Sequence, residues 1–471
     1  MSFPFHRYEE EGKQRVSQFE KMLLNNRNTF FDVETFESVA DHYLSAGEYK
    51  KGLEACNIGM DQHPYASELI SFKAKFLAEL GQFEEALHFV EKAISFQPLD
   101  PENLVLKGSI CTTLGEFEEA LSCYEQALPF SDDKDELYYE MGLTLEAYGK
   151  MDEALSSFKN ALVINPLHED SLFELTLCLE VLDRLDEGVT YYQQIVDENP
   201  DSPTAWYNLG VMQDKMEKLN DAALSFDYAT VLDDSFSSAW FNLANVYMKS
   251  NQLEKAIEGF EKTIALEKEN PDADLFFQLA SCYHFNDELD KAVLYYKKAT
   301  AINPDFSEAY YGLGKLLTER EKFYESIHYL SKATKLDSEN PFYWMELAES
   351  EYEVGNLVSC IQAFEKAASL DAENKDLWLD WSSIYFEEGD YDQAISLIKD
   401  GIDIFPDEAS LYYRLVVYLF GKGNYKEAFV YLENALTLNF EGHIEMYAFF
   451  PELEKQTALF KLIDQYKQGN V

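Results

Sequence analysis

The stretch Pro203–Phe236, PTAWYNLGVMQDKMEKLNDAALSFDYATVLDDSF, decides the fold. With Pro203 as position 1, Trp206 falls at 4, Leu209 at 7, Gly210 at 8, Leu219 at 17, Ala222 at 20, Phe226 at 24 and Ala229 at 27. Positions 4, 7, 8 and 11 share one face at helical spacing, and positions 17, 20, 24 and 27 share another. Small residues at 8 and 20 let two antiparallel helices approach closely while the large residues interlock around them. The stretch therefore reads as a helical hairpin.

The same pattern extends in both directions. Position 20 recurs every 34 residues as Ala86, Ala120, Ala154, Gly188, Ala222 and Ala256, then after one 36-residue step as Ala292, Ser326, Cys360, Ala394 and Ala428. Four residues later stand Val90, Tyr124, Phe158, Tyr192, Phe226, Phe260, Tyr296, Leu330 and Phe364. Position 8 is small in Gly108, Gly142, Gly210, Ala244, Ala280 and Gly314, with Val416 the exception in the last unit. Turn-formers such as Gly115, Gly149, Asp183, Asn251 and Gly355 separate the two halves. A hairpin of this kind cannot bury its apolar face alone and must stack on its neighbours, so the period implies a solenoid.

The spacing of these residues resembles the tetratricopeptide repeat (TPR), whose signature places W, L, G, Y, A, F, A and P at such intervals. Twelve units fit in tandem from Val33 to Gly442. The closing proline is kept in Pro64, Pro98, Pro166, Pro200, Pro304 and Pro406 and replaced by Asp132, Asp234 and Ser338. The resemblance implies an all-α chain, an α-solenoid wound as a right-handed superhelix of antiparallel helical hairpins. The expected organisation is an N-terminal capping helix in residues 1–32, repeats over 33–442 and a C-terminal capping helix in 443–471. Val16, Phe19 and Leu23 share a face at one end, as do Leu459, Leu462, Ile463 and Tyr466 at the other, and a solenoid needs such polar-backed caps. The alternative for the first of these is that Phe3–Arg15 is a separate docking peptide. The extra pair of residues in Glu267–Asp272, EKENPD, is expected to adjust one turn.

The formal charge is −49, from 87 acidic and 38 basic side chains. Part of that is structural. Carboxylates at positions 18 and 19, such as Glu84, Glu85, Asp152, Glu153 and Asp221, open second helices, where the helix dipole favours them. These cannot account for the whole excess. It argues against nucleic-acid backbones as partners and favours either solubility or a basic partner. Six cysteines fall on core-facing repeat positions without CxxC spacing, which suits reduced thiols. The opening MSFPFHRYEEEGKQ lacks the apolar run of a signal peptide, and no stretch approaches the roughly 18 apolar residues of a membrane span. A cytoplasmic location is expected, with no membrane partner; the sequence leaves the oligomeric state open.

No catalytic motif is present: there is no GxxxxGK[ST], HExxH or GxSxG. Gly312 and Gly314 in YYGLGK fall at repeat positions 6 and 8, mid-helix, and do not form a phosphate loop. The eight histidines show no ligand spacing. No enzyme activity, metal or cofactor is expected.

The groove is the place to look for function. The resemblance puts positions 2, 5, 6, 9, 12 and 13 of the first helices on a concave, partner-binding face. Position 5 is aromatic in six consecutive units: Tyr139, Phe173, Tyr207, Phe241, Phe277 and Tyr311. Such rings either anchor a partner or pack between adjacent first helices. Asn208 and Asn242 at position 6, with Asn245 at position 9, resemble the asparagine ladder by which some TPR superhelices hold a peptide main chain. The acidic neighbours Glu140, Glu174, Glu346, Glu349 and Asp380 disfavour the carboxylate-clamp subclass. Together these features suggest a scaffold or adaptor holding an extended or helical segment with apolar anchors and basic side chains. The alternatives are an acidic, chaperone-like escort of a basic protein, and an architectural subunit of a larger complex.

Overall fold

The structure, a computed structural model, describes residues 5–24, 29–268 and 271–469. Among these residues every regular element is a helix, and there is no strand. The chain divides into two compact units, residues 1–246 and 247–471.

The first unit opens with α1 (Phe5–Leu24). Six hairpins follow: α2 (Val33–Ser45) with α3 (Tyr49–Gln62), α4 (Ser67–Glu79) with α5 (Phe83–Phe96), and α6 (Pro101–Leu114) with α7 (Phe117–Ala127). Then come α8 (Lys134–Ala147) with α9 (Met151–Ile164), α10 (Glu169–Val181) with α11 (Leu185–Glu198), and α12 (Pro203–Lys215) with α13 (Leu219–Leu232). The division between the units falls within α14 (Ser237–Lys249).

The second unit continues with α15 (Leu253–Leu266). Its hairpins are α16 (Ala273–Phe285) with α17 (Leu289–Ile302), α18 (Ser307–Glu319) with α19 (Phe323–Leu336), and α20 (Pro341–Glu353) with α21 (Leu357–Leu370). The last are α22 (Lys375–Glu387) with α23 (Tyr391–Ile404) and α24 (Ala409–Lys422) with α25 (Tyr425–Leu438), before α26 (Ile444–Phe449) and α27 (Thr457–Gly469).

These boundaries follow from the repeat. Second helices begin at position 17, as at Phe83, Met151, Leu219, Phe323 and Tyr391. Within a hairpin the position-8 residue lies against position 24. A Cβ on Gly142 would stand 2.3 Å from the Phe158 ring, and one on Gly210 would stand 2.8 Å from the Phe226 ring. Both rings are buried, as are Ala154 and Ala222 at position 20. The chain between the two helices turns through a left-handed residue. Glycine fills it at seven places, but Asp183, Glu217, Asn251, Asp287 and Glu321 also adopt φ of 54 to 59° there. Glu217 and Glu321 carry no turn signal of their own; the packed helices on either side impose the conformation.

At one end, Val16, Phe19 and Met22 of α1 join the core of Phe36, Val39 and Tyr43, while Leu23 is 37% exposed. Arg15 ties α1 to α2 by an ion pair with Glu34 at 2.8 Å. Phe3 and Pro4 of the Phe3–Arg15 segment lie outside the described residues, as do residues 269–270 of the EKENPD turn. At the other end Leu459 and Ile463 of α27 are buried against the last hairpin's cluster, with Leu462 and Tyr466 packed alongside. No described helix is long and apolar enough to cross a membrane. All six cysteines are free and buried, and burial pushes the thiols of Cys56 and Cys282 up to about 12.

Candidate partner-binding groove

First helices line open grooves in both units. In the first unit a groove of about 590 Å³ runs along α4, α6 and α8, with Val105, Ser109 and Glu140 in its wall. In the second a groove of about 860 Å³ is walled by α16, α18 and the start of α20. Phe277 and Tyr311 line this second groove together, beside Phe285, Lys315 and Tyr343. His284 Nε2 and Glu319 Oε2 are hydrogen-bonded at 2.6 Å in the same wall.

The position-5 rings sit at the seams of the stack. Tyr139 lies 6.0 Å from Phe158 of its own hairpin and 5.3 Å from His168, which caps α10. Tyr207 lies 5.7 Å from Phe226 and 4.9 Å from Phe236. Phe277 repeats the arrangement with Tyr296 at 5.9 Å and Phe306 at 5.1 Å. Tyr311 stacks on Tyr343 at 4.7 Å. Each ring thus touches residues of its own unit, of the next, or of both, and leaves part of its surface open. Phe173, 5.8 Å from Tyr207, is the more exposed, at 38%. Phe241 is half-buried.

The asparagines behave differently from one another. Asn208 is fully buried. Its Nδ2 donates to the Thr204 carbonyl at 2.9 Å and its Oδ1 accepts from Thr176 Oγ1 at 3.1 Å. Thr176 in turn shares a 2.6 Å bond with the Tyr192 hydroxyl. Asn208 therefore ties α12 to α10 from inside, and it has no surface to offer a peptide main chain. Asn242 is half-buried and donates to the Tyr207 hydroxyl at 3.0 Å. Asn245 is half-buried one turn further along α14.

The groove carboxylates are shaped by burial. Desolvation raises Glu140 and Glu174 above the usual carboxylate range, aided by Glu136 in one case and by Glu146 and Asp170 in the other. The same cause pushes Glu346 up to about 7, with Glu349 adding to it and Lys315 opposing it. Asp380 reaches about 6 despite Arg414 nearby. Among the described residues no cluster of His, Cys, Asp or Glu is arranged to hold a metal ion.

Sequence reasoning passed over two groove residues. Leu177 and Val181, at positions 9 and 13 of α10, are 49% and 68% exposed. The signal for them was available: apolar side chains outside the core register of positions 4, 7, 8 and 11, four residues apart and in line with Phe173.

Stacked antiparallel hairpins with small residues at the helix crossings define an all-α repeat solenoid, a protein-interaction architecture. The chain belongs to the tetratricopeptide repeat family. The family model described as "Cilia and flagella-associated protein 70 C-terminal domain" matches residues 211–448, just over half of the chain. Tetratricopeptide repeat models match residues 101–128, 139–203 and 182–235. None of these is an enzyme family. No curated protein matches the chain in sequence.

Solved structures of similar fold include YrrB, described as a TPR protein with an unusual peptide-binding site, at 20% identity and a TM-score of 0.35 over 39% of this chain and 93% of that one. The Cut9–Hcn1 hetero-tetramer of APC/C gives 15% identity and 0.41 over 88% and 94%. MamA gives 22% and 0.34 over 36% and 93%.

Proposed function

We propose that the chain is an interaction scaffold that holds a segment of a partner protein along the face built by its first helices. The observation that supports this is the pair of open grooves, of about 590 and 860 Å³, walled mainly by first helices rather than second. Their aromatic side chains offer anchors, and the carboxylates beside them suit a partner carrying Lys or Arg. Phe277 and Tyr311 combine this role with packing between units, and Tyr139, Phe173, Tyr207 and Phe241 are the further anchors at the same repeat position. Six buried free thiols fit a reducing compartment such as the cytoplasm.

Hydrogen exchange with and without a bound peptide tests the reading. Peptides selected from a display library should slow exchange along α4, α6, α8, α16 and α18. Protection confined to second helices would overturn it. An acidic escort acting by bulk charge differs in its salt response, since its binding should collapse as the screening length shortens from ~8 Å at physiological salt to ~3 Å at 1 M.

One observation favours a second, architectural reading. Leu224, Tyr228 and Val231 form a stripe on α13, a second helix, and are 60%, 52% and 75% exposed. A subunit that packs through its second-helix faces would show such a stripe.

A further inference from the structure

The face of α8, α10 and α12 differs from the rest of the groove in having an unbroken apolar centre. Along α10, Phe173, Leu177 and Val181 follow one another at four-residue spacing, and all three are exposed. Leu143 on α8 and Val211 on α12 occupy the position equivalent to Leu177, and both are half-buried. Phe173 and Tyr207 bring α10 and α12 together at this face. Eight residues of α10 separate the ends of the stripe, about 12 Å at ~1.5 Å per residue.

Carboxylates border the stripe on both sides. Glu140 and Glu174 stand at position 6, with Asp170 at position 2, on one flank. Glu146 and Glu180 stand at position 12 on the other, where Glu180 pairs with Lys215 at 3.2 Å. Burial already disfavours the charged form of Glu140 and Glu174, so a cation placed beside them is favoured.

Two features decide the shape of the occupant. An extended strand leaves its main-chain N–H and C=O groups to be satisfied by the groove. The only side-chain amide at the groove positions of α8, α10 and α12 is Asn208, which is buried and bonded internally. A helix satisfies its own main chain and needs only an apolar face. The width agrees: a helix is ~10–12 Å across, whereas an extended chain occupies roughly 5 Å, the spacing of neighbouring strands.

We infer that this face of α8, α10 and α12 docks an amphipathic helix of a partner protein, apolar along one side and lined with Lys or Arg on its flanks. The inference rests on the groove reading above and adds the place and the kind of segment. Three adjacent first helices, at about 8–10 Å between axes, span roughly 20 Å, which about 13 residues of docked helix would cross.

The test uses the full chain and a displayed library of 18-residue peptides in three arms. One arm repeats apolar residues at helical spacing with Lys and Arg elsewhere. The second keeps that spacing with Asp and Glu. The third alternates apolar and basic residues at strand spacing. The first arm should be enriched on the wild type, and its peptides should bind the Leu177→Ser, Val181→Ser double variant at least tenfold more weakly. A Phe285→Ser variant, altered in the second unit's groove, should retain binding. Both substitutions in the double variant are at exposed sites, and its helical circular dichroism and melting temperature should match the wild type.

Preferential enrichment of the strand or acidic arm overturns the inference. Loss of binding in Phe285→Ser with none in the double variant overturns the placement and leaves the groove reading standing. No enrichment of any arm overturns both. A self-association of the wild type that the double variant abolishes would assign the face to a second copy of the chain, and would also overturn the inference.

Discussion

At position 9, α8, α10 and α12 carry Leu143, Leu177 and Val211; at the same position α18, α20 and α22 carry Lys315, Glu349 and Ser383. At position 6 the first group has Glu140, Glu174 and the buried Asn208, while the second has Gly312, Glu346 and Asp380, followed by Arg414 on α24. Both groups rest on the same framework of position 8 against position 24. In the first region the carboxylates are at the borders of an apolar stripe. In the second, Glu349 takes the central position 9, and burial, with Glu349 adding to it, pushes Glu346 at position 6 up to about 7. The repeat fixes the packing register and leaves the chemistry of the first-helix face to be written unit by unit.

If the framework is shared, breaking it should be costly in both regions. Phe158 and Leu330 each fill position 24, are fully buried and lie against a glycine at position 8. Phe158→Ala should cost about 3–5 kcal/mol and Leu330→Ala about 2–5 kcal/mol. Chemical denaturation of each variant, followed by fluorescence, reads this directly. A variant that unfolds like the wild type would show that the two regions are built differently.

Overpacking gives a smaller effect. Ala222 at position 20 is fully buried, so Ala222→Leu should cost about 1–3 kcal/mol. Glu254, exposed near the start of α15, should accept substitution with little change. Melting curves of the two variants should separate clearly.

The difference between the regions is sharpened by pH. Glu346 has an ordinary unfolded value of 4.5 and a folded value near 7, so between these the folded chain binds more protons than the unfolded chain. Its contribution therefore falls as pH rises from about 4.5 to about 7. Glu346→Gln should remove that loss and stabilise the second unit near pH 8 by on the order of 1 kcal/mol, allowing for screening at a half-buried site. At pH 4 the variant and the wild type should be nearly equal. A gain that persists unchanged at pH 4 would mean that ionisation of this carboxyl is not its source.

Glu321 holds a left-handed conformation that costs a residue with a Cβ roughly 1–2 kcal/mol. Glu321→Gly relieves that but loosens the unfolded chain by about 0.4–1 kcal/mol. The net expectation is a gain of about half a kcal/mol, visible as a small rise in melting temperature. The Leu177→Ser, Val181→Ser pair should do least, within about ±0.5 kcal/mol, since both side chains lie on the surface. A loss of several kcal/mol there would place them in the core and remove the apolar stripe from the comparison.

The hairpins, their register and the residues at each crossing were legible in the sequence, because the 34-residue period repeats one local packing problem many times. Gly142, Phe158, Ala222 and Phe226 could each be placed by counting alone. The face residues were only partly legible. Position 5 was found because its rings are conspicuous, but counting could not say that Tyr207 would meet Phe226 and Phe236, or that Asn208 would turn inward to Thr176 and Thr204. Nor could it give Leu177 and Val181 their exposure, or Glu346 its raised carboxyl. Periodicity reports which side of a helix faces its own hairpin. How deeply the remaining side chains are covered, and which polar groups find partners, depends on the approach of neighbouring hairpins, and only the tertiary structure decides it.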